Sequence, residues 1–169
     1  MHRQILRAGR FGFRQWPQDR SRLLILTTLM LTRPSPGQQS AKPLQIDPRV
    51  VAKIWPHAEG LLAKAFKRTD LETIDQTRED VLAGRALLWI VWNDRIEAAL
   101  VTKIIKPHTT KICMLLACGG EGDWPALIET IKDYARDEGC AVARLYGRKG
   151  WARVLKDFKP MHVILDCEL

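Results

Sequence analysis

Residues 111–146 read KICMLLACGGEGDWPALIETIKDYARDEGCAVARLY, and this stretch decides the fold. Lys111–Cys118 is almost continuously apolar, the pattern of a strand buried on both faces. Gly119-Gly120-Glu121-Gly122-Asp123 then breaks the run, and Asp123 can cap a helix that opens at Trp124-Pro125. Trp124, Leu127, Ile128, Ile131, Tyr134 and Ala135 recur at helical spacing, and Gly139 supplies the stop. Cys140–Tyr146 is again strand-like. Two strands joined through a helix imply a parallel pair with a right-handed crossover.

Working outward, the preceding residues read as a β-meander. Ala86–Trp92 is apolar and aromatic, Asn93-Asp94 is a two-residue turn, and Arg95–Ile105 continues as a strand. Pro107-His108-Thr109-Thr110 makes the next connection. Upstream, Val51, Ile54, Trp55, Ala58, Leu61, Leu62 and Ala65 form one apolar helical stripe, which Pro56 is expected to kink or split. Thr77-Arg78-Glu79-Asp80 has the look of a capping box before Val81-Leu82, with Gly84 as the stop. Downstream, Trp151–Phe158 reads as a short helix and Met161–Leu169 as a terminal strand. The expected order is ααβββαβαβ, an α/β (α+β) domain with a mixed, mostly antiparallel sheet, a parallel βαβ crossover and flanking helices. Pro43–Ile46 is a candidate first strand ahead of it.

The chain has 169 residues and carries +8 at neutral pH, but the charge is unevenly placed. Residues 1–46 hold seven Arg and one Lys against Asp19 alone, whereas residues 47–169 hold 19 basic and 18 acidic side chains. The domain expected over residues 47–169 is therefore nearly neutral and offers no basic footprint for nucleic acid. Residues 1–46 leave three readings open: a disordered tail, a segment before a true start at Met30, or a cleaved signal. The apolar run Leu23–Leu31 is too short for a membrane span. Cys113, Cys118, Cys140 and Cys167 show no CxxC spacing and no Cys/His pairing, so no metal site and no disulfide framework are expected. A reducing, cytoplasmic setting is the expectation.

The element order, with Leu88-Trp89, Ala98-Ala99-Leu100-Val101-Thr102, Cys118-Gly119-Gly120 and Gly147-Arg148-Lys149-Gly150-Trp151, resembles the GNAT superfamily of acyl-CoA N-acyltransferases. Within it the chain looks like small GNAT-like proteins carried by phages and prophages. The resemblance implies that acetyl-CoA or another acyl-CoA binds between splayed strands, with the pantetheine arm along an exposed strand edge. It also implies a pyrophosphate loop over Cys118, Gly119, Gly120, Gly122, Asp123 and Trp124. The superfamily loop reads Gln/Arg-x-x-Gly-x-Gly/Ala. Registered on Ala126-Leu127-Ile128, it places Gly119, Gly122 and Trp124 at the three signature positions, and only Gly122 matches. Glu121 and Asp123 add negative charge there. The tyrosine that often serves as general acid is replaced at the corresponding positions by Lys156 or Phe158.

For proton transfer, Glu97 on the second meander strand is the best placed carboxylate, and Tyr146 ends the strand after the crossover helix. The plainer readings are an outward residue on a wet sheet face and a rim residue. His57 and His108 read as solvated, and Cys118 as a strand-end thiol. Arg144, Arg148, Lys149 and Arg153 form a patch for phosphates or an acidic partner, unless Asp133, Asp137 and Glu138 neutralise it. Two functions follow: an N-acyltransferase, or a non-catalytic GNAT-shaped accessory that binds a phage or host protein. The aromatics of the Trp89/Trp92 strand and the Gly150-Trp151 corner are the candidate contacts for the second.

Overall fold

The structure, a computed structural model, describes residues 43–67, 72–147, 150–161 and 167. In chain order these form β1 (Pro43–Gln45), α1 (Pro48–Phe66), α2 (Ile74–Leu82), β2 (Leu87–Asn93), β3 (Arg95–Ile105), β4 (Ile112–Gly120), α3 (Trp124–Asp137), β5 (Val142–Leu145) and α4 (Trp151–Val154). The strands make one sheet in the order β1-β2-β3-β4-β5. The first three pairings are antiparallel and β4–β5 is parallel. The order expected from the sequence holds over every element that the described residues cover, with β1 added in front. The basic segment as far as Lys42 and most of the expected strand Met161–Leu169 lie outside the described residues.

Strand alternation sends side chains to opposite faces, and each face carries its own core. Leu88, Ile90, Ala99, Val101 and Ala117 pack under α1 with Val51, Ile54, Trp55, Ala58 and Leu62, joined by Val81 of α2. On the other face Trp89, Val91, Ala98, Leu100, Cys113 and Leu115 meet Leu127, Ile128, Ile131 and Ala135 of α3. The central strands are covered twice, as the unbroken apolar run in Ile112–Leu115 requires.

Several boundaries differ from the sequence reading. The helix α1 is not split at Pro56; it runs unbroken from Pro48 to Phe66 with Pro56 on its exposed side. Burial of Val51, Ile54 and Leu62 at about 1.5–3 kcal/mol each outweighs the ~3 kcal/mol that an internal proline costs. The capping box belongs to Thr73 and Gln76, not Thr77. Thr77 lies inside α2, fully buried, and donates its hydroxyl proton to Glu72 Oε2 at 3.2 Å. The sequence pattern S/T-x-x-E/Q fits Thr73 with Gln76, whereas Thr77 has Asp80 at the third place and is buried inside the helix. The strand β4 continues two residues past Cys118, and α4 stops at Val154 rather than Phe158. The turn expected over Asn93-Asp94 is tighter: Asn93 ends β2 and pairs with Arg95, so Asp94 alone lies between the strands, with φ 55°.

Candidate functional site

The site begins where β4 and β5 part. Their parallel register runs from Ile112↔Val142 to Leu115↔Leu145, while β4 stays paired with β3 as far as Ala98↔Gly120. The parting coincides with a β-bulge. Val101 pairs with Ala117 and Thr102 with Leu115, so Leu116 is the extra residue. Leu116 and Ala117 consequently both pack toward α1, although they are neighbours in sequence. A bulge bends its strand and increases its twist, which turns the end of β4 away from β5. The mouth so formed lies at the carboxyl ends of two parallel strands, where open α/β sheets place ligands.

Beyond the parting, the glycines at the end of β4 are held by close packing. A Cβ on Gly119 would lie 1.9 Å from the Leu61 carbonyl oxygen, so α1 crosses directly over this residue. Gly120 has φ +107°, a conformation that side chains rarely adopt, and its Cβ would lie 2.2 Å from the Glu97 carbonyl oxygen. Both residues belong to the strand, and the loop proper begins at Glu121. Glu121 N–H donates to the Glu97 carbonyl at 2.9 Å, and Trp124 N–H to the Gly122 carbonyl at 2.9 Å. Asp123 is the N-cap of α3, its Oδ1 accepting from Ala126 N–H at 3.0 Å. Pro125 brings no N–H at all.

Trp124 and Trp151, the first residues of α3 and α4, stack edge to face with ring centroids 5.5 Å apart. The Trp151 ring also lies against Gly147, where a Cβ would come within 2.8 Å of Cδ1. Tyr146 directly follows β5 at the parting and is 46% exposed. Beside this aromatic corner, a cleft of about 210 Å³ runs between α3 and the segment after α4. Pro125, Ile128, Leu155 and Phe158 line it, and Lys132 bridges its rim to Glu129 and Asp157 at 2.7 Å each. Phe158 packs into the α3-side core, and Lys156 is exposed.

The remaining candidates separate clearly. Glu97 is the extra residue of a second bulge, since Val91 pairs with Ala98 and Trp92 with Ile96. Its carboxylate accepts from Asn93 Nδ2 at 3.0 Å, and its own carbonyl holds the Glu121 amide. Glu97 is therefore anchored next to the loop. Nothing in the linear sequence marks either bulge, because a bulge is a relation between two strands. His57 and His108 are exposed and lie on α1 and in the β3–β4 turn. Burial pushes the Cys113 thiol up to about 12, with Cys140 a smaller contributor, so Cys113 is an inert core residue. Trp89 is buried, with Nε1 donating to Thr102 Oγ1 at 2.9 Å, and Trp92 is half-buried against the α1-side core. The expected contact strand is thus internal; its aromatics were needed to fill both cores. Arg144 is half-buried and Arg153 exposed, and residues 148–149 lie outside the described set. Asp133 pairs with Arg136 and Glu138 with Lys111, away from that patch. Among the described residues no His/Cys/Asp/Glu group could hold a metal ion, and no helix is long and apolar enough to cross a membrane.

No protein-family model and no curated protein sequence matches this chain. Solved structures do match, by shape. An aminoglycoside acetyltransferase from an uncultured soil metagenomic sample, in complex with sisomicin, superposes with a TM-score of 0.58 at 10% identity, over 76% of this chain and 95% of that one. A second aminoglycoside acetyltransferase from an uncultured soil metagenomic sample gives 0.57 at 14% identity, over 78% and 99%. A predicted acetyltransferase from Clostridium acetobutylicum, with acetyl-CoA, gives 0.55 at 13% identity, over 75% and 95%. The chain therefore has the GNAT fold, which the element order and the parting of β4 from β5 already describe.

Proposed function

We propose that this protein is an N-acyltransferase that moves an acyl group from acetyl-CoA, or another acyl-CoA, to an amine. The observation that carries this reading is the end of the β4–β5 register at Leu115↔Leu145, beside the start of α3. The pantetheine arm would add along the β5-facing edge of β4 at Leu116 and Ala117, placing the thioester near Tyr146. Gly122, Asp123 and Trp124 would border the far end of the donor, with Cys118, Gly119 and Gly120 shaping the strand below it. The amine nitrogen attacks the thioester carbonyl carbon; the C–N bond forms as the C–S bond breaks. The ammonium proton passes to a base, for which Glu97, directly or through water, is the candidate. The departing thiolate takes a proton from Tyr146. A structural neighbour with acetyl-CoA and two aminoglycoside acetyltransferases support this chemistry by fold likeness alone.

The four-residue α4, with Phe158 in the core and Lys156 in solvent, favours a second reading without catalysis. In it the same fold serves as a phage or prophage accessory that contacts a phage or host protein, with the Gly150-Trp151 corner as anchor. Titration calorimetry with acetyl-CoA decides the first point, and thiol release in the presence of amines decides the second. Micromolar binding that is lost in Gly122→Trp, with thiol release, is the expected result. Binding without turnover selects the accessory, and no heat at millimolar acetyl-CoA removes the enzyme reading.

A further inference from the structure

We propose that the thioester donor is held by its acyl-pantetheine arm and not by its diphosphate, so that acyl-pantetheine serves almost as well as acyl-CoA. This rests on the acyltransferase reading and deepens it. A helix start attracts a phosphate because its first four backbone N–H groups lack partners. In α3 those four positions are Asp123, Trp124, Pro125 and Ala126, and of them the Asp123 N–H alone is left for a ligand. Trp124 N–H is turned back onto the Gly122 carbonyl at 2.9 Å, and Ala126 N–H is taken by the Asp123 carboxylate at 3.0 Å. Pro125 has no N–H. One step earlier in the loop, Glu121 N–H is committed to the Glu97 carbonyl at 2.9 Å. The dipole of the helix start is answered internally by the Asp123 carboxylate, and Glu121 and Asp123, both exposed, face an approaching diphosphate with like charge.

Two of the three glycines that would let a backbone approach an anion, Gly119 and Gly120, are engaged elsewhere. Gly119 lies under the Leu61 carbonyl and Gly120 against the Glu97 carbonyl, so their missing side chains admit protein, not ligand. Trp124 packs on Trp151 where a small residue would leave room for phosphate oxygens. The β5-facing edge of β4 at Leu116 and Ala117 is not closed in this way, since the register with β5 ends one residue before it. Strand-edge addition suits the two amides of pantetheine, which pair with backbone as a peptide does. Arg144 on β5 and Arg153 on α4 are the competing means of gripping an anionic end.

The test titrates the full chain with CoA, pantetheine and adenosine 3′,5′-bisphosphate separately, at low salt. Expected are dissociation constants for CoA and pantetheine within about tenfold of each other, because charge-assisted phosphate contacts contribute little. The bisphosphate at millimolar concentration should give no heat. A CoA preference beyond about tenfold, or saturable binding of the bisphosphate, overturns this proposal and leaves the acyltransferase reading standing. If neither CoA nor pantetheine binds, both readings fall together.

Discussion

At the scale of single residues, glycine does different work at positions that look alike in the sequence. Gly60 sits inside α1 on the exposed side, and a Cβ there would meet nothing within 4 Å. Gly119 sits beneath the same helix, where a Cβ would be 1.9 Å from backbone oxygen. Gly60→Ala should therefore stabilise the fold by about 0.5–1 kcal/mol, since alanine loses less backbone entropy in a helix. Gly119→Ala should destabilise it by about 2–3 kcal/mol, because α1 must shift off β4. Urea midpoints of the two variants against the parent chain check both signs. Equal effects would show that α1 does not cross β4 this closely. The sequence marked Gly119 as a loop residue; only the position of Leu61 explains why it must be glycine.

At the scale of elements, α2 is tied to the sheet by charge as well as by Val81. Lys103 of β3 pairs with Asp80 and, at 3.2 Å, with Glu72, while Arg85 Nε holds the other Asp80 oxygen at 2.6 Å. The Lys103 hydrogen bond, chiefly, holds the Asp80 carboxyl below its ordinary 3.8; burial opposes it and Arg85 adds to it. The Asp80 hydrogen bond, chiefly, raises Lys103 above 10.5. A depressed carboxyl adds stability above its unfolded value and loses it as pH falls through the folded value. A raised lysine adds stability below its unfolded value and loses it as pH rises through the folded one. Lys103→Met should thus cost about 1–2 kcal/mol around neutrality, with the gap to the parent chain flat from about pH 5 to pH 9. Below pH 3.8 the gap should close as Asp80 protonates in both proteins. Urea titrations at a series of pH values measure it, and a gap that persists unchanged at pH 3 would mean the loss is one of packing. Thr73 and Gln76 cap this helix reciprocally, at 3.2 and 2.9 Å. Their pattern was legible, but the box was assigned to Thr77, which has Asp80 at the third place and is buried.

At the scale of the whole molecule, the sheet reaches further toward the N-terminus than the amphipathic patterning does. Leu44 pairs with Ile90, and Ile46 is fully buried with its N–H on the Leu88 carbonyl at 2.8 Å. A chain that starts at Asp47 loses this strand and leaves β2 as a bare apolar edge. Relative to a chain that starts at Ser40, it should be less stable by about 2–5 kcal/mol, the usual cost of emptying a buried isoleucine site, and prone to association. Matched urea transitions and light scattering test this. Identical transitions would mean that β1 contributes no net stability.

The sequence by itself determined the element order, the doubly covered central strand, the parallel crossover through α3, the Asp123 cap and the place of the β2–β3 reversal. Each of these is a local pattern: a period, a cap or a turn residue acting within a few positions of chain. The sequence also showed that only Gly122 matches the pyrophosphate signature. The tertiary structure alone decided where β4 leaves β5, because that depends on the bulge at Leu116, a mismatch of count between two strands. It alone placed Leu61 over Gly119 and turned the Trp89 side chain inward. It alone showed that the amides of Glu121, Trp124 and Ala126 are already committed. Hydrogen-bond partners and close backbone approaches join residues distant in sequence, and no periodicity along one chain records them.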